Sequence, residues 1–153
     1  MTHLPEEPKE EIMTDDTTIW TSNADFSQAL DTAEKMLGFR LESFLVSGPG
    51  EPAISADFSR LATLQTFGNV WPRTEHLDTR SRALVSVTIA ATLGVHEPLR
   101  GQLRIALNNG VTKDEIVETF IQILAYAGAA RAFDSYQIVR EVFAEKVQNL
   151  RSS

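Results

Sequence analysis

The chain has 153 residues, no cysteine, three histidines and a formal net charge of −7, with 42% hydrophobic and 23% charged residues. That length supports one domain with a sizeable core, and the absence of cysteine excludes disulfides, thiolate nucleophiles, thiol peroxidase chemistry and zinc–thiolate sites. The acidic balance, without clustered Lys and Arg, argues against nucleic acid as a partner; no apolar run nears the roughly 20 residues of a membrane helix; and no histidine spacing puts two ligands on one helix face, so no metal is expected.

Residues 1–22 hold few apolar positions and several Pro, Glu and Asp, the composition of a mobile acidic arm ahead of a single domain over 23–153. Their start, "MTHLPEEPKEEIMTDD", lacks the basic opening and apolar middle of a secretory signal, which points to a cytoplasmic protein. From Asp25, the positions Phe26, Ala29, Leu30, Ala33 and Leu37 have helical spacing, and Gly38 suits the end of that helix. "VSGPGEP" is the strongest loop of the chain. A second amphipathic helix is predicted through Phe58, Leu61, Leu64 and Phe67, stopping at Gly68. "NVWPRTEHLD" follows as a turn-rich connector, with Asp78 placed to cap the next helix.

That helix, "TRSRALVSVTIAATLG", is apolar on nearly every face from Ala83 to Leu93, so it is expected to be central and buried, with Gly94 closing it. Pro98 sits well in the first turn of a helix carrying Leu99, Leu103, Ala106 and Leu107. The junction "LRIALNNGVTKDEI" then reads as a rigid elbow. Asn108, Asn109 and Gly110 tolerate positive φ, Gly110 takes the left-handed position after the helix, Thr112 and Glu115 form a capping box, and Val111 and Ile116 form a hydrophobic staple. "KDEIVETFIQILAYAG" is apolar over a wide arc and ends at Gly128. A last helix over about 130–150 carries Phe133, Val142, Phe143 and Val147. The series contains no strand, and its two most apolar helices exceed what a monomer of this size covers, so subunits are expected to cover them for one another.

Four stretches taken together, "FGNVW", "LDTRSRAL", "ALNNGVTKDEI" and "YAG", resemble the carboxymuconolactone decarboxylase family, the cysteine-free relatives of the alkylhydroperoxidase D-type proteins. The resemblance runs over roughly residues 67–145. It implies an all-α, alkylhydroperoxidase D-like helical bundle assembled into a trimer or hexamer, acting on a small-molecule substrate with no metal and no organic cofactor. The implied reaction removes carbon dioxide from an unsaturated γ-lactone whose own carbonyl serves as the electron sink, so the protein must supply oxyanion donors and a proton.

Two departures from the family pattern bear on that chemistry. Gln102 stands where the family usually places a histidine, and a glutamine amide donates hydrogen bonds but delivers no proton near neutral pH. The positions matching the two cysteines and histidine of the alkylhydroperoxidase D-type proteins read roughly Val95, Pro98 and Gln102, which removes the peroxidase reading. The candidate site residues are therefore Gln102 as an oxyanion donor, Arg82 as a carboxylate partner or a structural ion pair, and His96, His76 or Tyr126 as the replacement acid. For the two histidines a plain loop position is the competing reading, and for Tyr126 a hydroxyl bonded to a backbone carbonyl. Trp71 either walls a pocket or plugs the space between helices. Two classes stay open: a cofactor-independent lyase, isomerase or cyclase on a small unsaturated lactone or related acid, and a non-catalytic helical scaffold that has lost the acid. A polar pocket lined by Arg82, Gln102 and Tyr126 favours the first.

Overall fold

The structure is a computed structural model that describes residues 23–41 and 45–151; the expected acidic arm over 1–22 lies outside the described residues. The described residues are all-helical: α1 (Asn23–Leu37), α2 (Ser55–Thr63) running on as a π-helical turn over Leu64–Val70, α3 (Thr79–Leu93), α4 (His96–Asn108), α5 (Lys113–Ala127) and α6 (Ala129–Arg151). None of these helices is long and apolar enough to cross a membrane.

Helix ends follow local chemistry. Asp78 accepts from the Ser81 amide at 2.7 Å and opens α3, while Gly94 at φ 71° closes it, with the Val95 amide reaching back to the Ala90 carbonyl. The 94–95 turn folds α4 back along α3, and this antiparallel pair is the most extensive packing in the chain. α6 then returns over both helices, and α1 lies against the π-helical turn and α4. The core gathers Leu99, Leu103 and Ala106 of α4, Ala83 and Val87 of α3, Ile116 and Phe120 of α5, and Val139 and Val142 of α6. Between α4 and α6, Arg104 makes a forked contact with Glu145 at 3.0 Å and Arg100 donates to Glu141 at 2.5 Å, so the outer seam of the pair is ionic where the inner one is apolar.

Three expectations are corrected. The second helix passes through Gly68 rather than stopping there, because the chain widens into i→i+5 bonding, with the Trp71 amide on the Thr66 carbonyl at 3.0 Å. α3 is central on one face only: Ala83, Val87, Ala90 and Ala91 are buried, whereas Val85, Ile89 and Leu93 are exposed, since α4 and α6 cover one side and α5 leaves a groove on the other. Phe133 is 68% exposed; α6 turns Ala132, Ser135, Ile138 and Val139 inward instead.

Candidate active site

The N-terminal end of α3 is held by three interactions that together set where its side chains point. Asp78 caps the helix, and the Ser81 amide holds its carboxyl below the usual carboxylate range. Arg80 reaches across to the elbow, donating through Nε to the Gly110 carbonyl at 3.4 Å and pairing with Glu115. Two residues on, Arg82 turns toward the connector and donates from Nη2 to the Arg73 carbonyl at 2.6 Å. Its Nε is buried and has no hydrogen-bond partner among the described residues. A buried guanidinium N–H without an acceptor is costly unless something else supplies one.

Arg82 borders a cavity of about 380 Å³ lined by Pro72, Arg73, Glu75, His76 and Arg82. One side of it thus carries a cation with donors to spare, and another carries an imidazole and a carboxylate on the connector. A cavity of this size suits a small organic acid. Its lining can hold a carboxylate on the guanidinium and exchange a proton with the imidazole or with Glu75. Of the residues singled out from sequence, the structure brings His76 and Arg82 together here.

Gln102 lies in the middle of α4, and its Oε1 is likewise buried without a partner. Counting along the antiparallel pair from the 94–95 turn, Gln102 stands about 7.5 Å nearer that turn along the axis than Arg82, nearly one and a half helical turns at 1.5 Å per residue. Two orphaned polar groups of opposite hydrogen-bonding sense, a donor on α3 and an acceptor on α4, thus sit on neighbouring helices, and Gln102 is not among the residues that line the Arg82 cavity. The amide exchanges donor and acceptor by rotating 180°, so it can present either to a bound group.

The elbow that ends α4 is built as its sequence predicts. Asn109 closes the helix, and Gly110 follows at φ 88° with its amide on the Leu107 carbonyl and the Val111 amide on the Ala106 carbonyl, the two bonds of a Schellman turn. Thr112 accepts from the Glu115 amide at 3.1 Å, and Glu115 accepts from the Thr112 amide at 2.8 Å. That amide, and then Arg80, hold the Glu115 carboxyl below its ordinary range. Val111 and Ile116 are buried as the staple. Arg80 ties this junction to α3 two residues before Arg82, so the elbow fixes the spacing of the two helices that carry Arg82 and Gln102.

The other candidates lie elsewhere. Tyr126 is 85% exposed. α5 runs parallel to α3, since Arg80 meets Glu115 near the start of both and Ile89 shares a groove with Gln122 further on; Tyr126 therefore lies about 13 Å further along the bundle than Arg82. Within one chain neither Tyr126 nor Gln102 lines the cavity that Arg82 borders, so the expected trio does not meet in one pocket. His96 opens α4 and pairs through Nε2 with Asp134 of α6 at 2.9 Å, near Arg131, which also approaches Asp134 at 3.7 Å. With Ser135 donating to the Ala91 carbonyl at 2.7 Å, this cluster fastens α6 over the end of α3. Trp71 is 4% exposed, part of the core, and also forms the wall of a separate cavity beside Pro72. It fills the space between helices and does not line the cavity that Arg82 borders. Sequence reading missed Glu75, Arg73 and Asp134. Glu75 stands beside His76 and was legible as a neighbour in the connector; the other two contacts are long-range or made by backbone, and no local pattern signals them. Among the described residues, no group of His, Asp and Glu side chains is arranged to hold a metal ion.

Comparison with known proteins places this geometry in a family. The profile of the carboxymuconolactone decarboxylase family matches residues 56–141, from α2 into α6 and more than half of the chain, beginning somewhat before the motifs that carried the resemblance. A 4-carboxymuconolactone decarboxylase of Acinetobacter baylyi is 30% identical over 118 residues, covering 77% of this chain and 86% of that protein. An uncharacterized 15.0 kDa protein of Paracoccus denitrificans, encoded in the nqo9–nqo10 intergenic region, is 34% identical over 97 residues, covering 62% of this chain and 69% of that one. The chain belongs to the carboxymuconolactone decarboxylase family.

Proposed function

We propose that this member of the family is a lyase that removes carbon dioxide from a small unsaturated lactone or related carboxylic acid in the cavity between α3 and the 72–76 connector. The observation that carries the proposal is the meeting of His76 with Arg82, whose buried Nε has no acceptor among the described residues. Arg82 holds an anionic group of the substrate. As the carbon–carboxylate bond breaks, its electron pair moves through the ring alkene onto the lactone carbonyl, giving a dienolate. The Gln102 amide and the Arg82 guanidinium stabilise that oxyanion, and the His76 imidazolium returns a proton to carbon. In this reading His76 takes over the proton transfer that Gln102 cannot perform.

The test is carbon dioxide release from 4-carboxymuconolactone by wild type, Gln102→Ala, Gln102→His and His76→Phe, each checked for folding. Turnover falls roughly a hundredfold for Gln102→Ala, with substrate binding changed much less, and by at least as much for His76→Phe. Gln102→His strengthens the activity. A folded wild type inert toward that lactone and a panel of unsaturated lactones would overturn the reading in favour of a non-catalytic scaffold.

The same chain is proposed to work as a trimer or a hexamer built from it. Ile89 at 54% exposure lies on α3 with Val85 and Leu93, and Ile121 and Leu124 continue the apolar surface on α5. Two apolar grooves flank α5, of about 210 Å³ toward α6 and about 350 Å³ toward α3. Contiguous apolar surface of this kind is the mark of an association face. Light scattering at micromolar concentration reads the outcome; a stable monomer contradicts it.

A further inference from the structure

A second cavity of about 360 Å³ shares Pro72 with the first and does not include Arg82. Trp71 and Met36, both core residues, form its apolar wall, and Lys35, Thr74, Thr79 and Asn109 supply its polar lining. No carboxylate borders it, in a chain whose net charge is −7. Lys35 is the cation of the cavity, and it differs from the five arginines of the fold that pair with carboxylates. Arg40, Arg80, Arg100, Arg104 and Arg131 each pair with a carboxylate, whereas Lys35 has no ion-pair partner among the described residues. Glu34 beside it pairs with Arg40, and Asp31, one turn earlier on α1, makes no ion pair with it.

An ammonium beside threonine hydroxyls, over an aromatic and a thioether wall, is matched by a small anion with a flat apolar body. The indole and Met36 offer contact area to such a body, and the lysine and threonine groups donate to its charged end. We propose that this cavity is a binding site for small planar organic carboxylates, separate from the cavity that holds Arg82. Pro72 borders both, so the two sites adjoin at one connector. The carboxylate accepts from Lys35 and from the Thr79 and Thr74 hydroxyls, and the ring lies against Trp71.

Trp20→Phe leaves Trp71 as the one indole of the chain, and the full-length protein with that substitution is titrated with benzoate while Trp71 emission is followed. A saturable change is expected, weakened about tenfold by Lys35→Met and restored by Lys35→Arg, and falling with added salt as charge screening requires. Benzamide, the neutral isostere, gives no saturable change over the same range. Arg82→Gln leaves benzoate binding unchanged while it lowers lactone turnover, so this proposal and the proposed function fail separately. The proposal is overturned if benzoate produces no saturable response, if benzamide binds as well as benzoate, or if Arg82→Gln rather than Lys35→Met removes the binding.

Discussion

Helices α2 and α4 carry the same helical period of apolar residues, and the two stripes end in opposite surroundings. In α4, Leu99, Leu103 and Ala106 are fully buried; in α2, Phe58 is 77% exposed and Leu61 is also exposed, with Ile54 beside them. Composition does not separate the two. What separates them is the number of elements stacked on each: α4 is enclosed by α3, α6 and α1, whereas α2 packs chiefly on α1 and on its own π-helical continuation. Periodicity says which side chains travel together on one face. Whether that face is covered depends on topology, and for α2 the cover is not supplied by the described part of the chain.

The sharpest way to break this contrast is Leu103→Ala. It removes a side chain with no exposure from the centre of α4, and a loss of about 3 kcal/mol is expected from denaturant unfolding. A loss below about 1 kcal/mol would mean that α4 is not the anchor of the core. Next come the elbow variants. Gly110→Ala places a side chain at φ 88°, with nothing within 4 Å to clash, so its cost is purely backbone strain. Both it and Thr112→Ala are expected to cost about 1 kcal/mol in thermal or chemical melts; unchanged melting in both would refute the turn.

A smaller effect is expected with acid. The Glu115 carboxyl is lowered in the folded state by the Thr112 amide and then by Arg80, and the Asp78 carboxyl by the Ser81 amide. Lowered groups of this kind contribute stability above their unfolded values and lose it as pH falls through the folded ones. The melting temperature should therefore decline from about pH 4.5 downward, with a shallower decline in Glu115→Gln; identical slopes would detach the elbow from the acid response. The least effect belongs to α2. Phe58→Gln should change the stability of the chain by no more than about 0.5 kcal/mol, and a clear loss that grows with protein concentration would show that another subunit covers this stripe.

Much of the fold is legible in the amino-acid sequence, and the legible part is local. Gly38, Gly94, Gly110 and Gly128 all have positive φ at helix ends, and Asp78 and Thr112 cap as their positions predict, because a cap or a left-handed glycine is decided within four or five residues. The candidate site divides along the same line. Arg82 and His76 are six residues apart and meet across one turn of connector. Tyr126 and Phe133 sit on apolar arcs that a single-chain reading turns inward, yet both are exposed, since the period is blind to which neighbours arrive. Arg80 to Gly110, His96 to Asp134 and Arg104 to Glu145 join residues 30 or more positions apart, and nothing in the spacing of charges announces such pairs.

The wide turn over Leu64–Val70 has a consequence for the phase of everything that follows it. In a regular α-helix each residue advances about 100° around the axis, so an i→i+5 turn, which takes in an extra residue, offsets the next side chain by about that angle. Trp71 leaves the turn directed into the core, while Val70 before it is exposed. Were the same seven residues to relax to ordinary helix with none removed, the indole would swing by at least that angle away from the core. The insertion thus acts as a phase shifter: it aims the one tryptophan that serves the core and the cavity beside Pro72 alike.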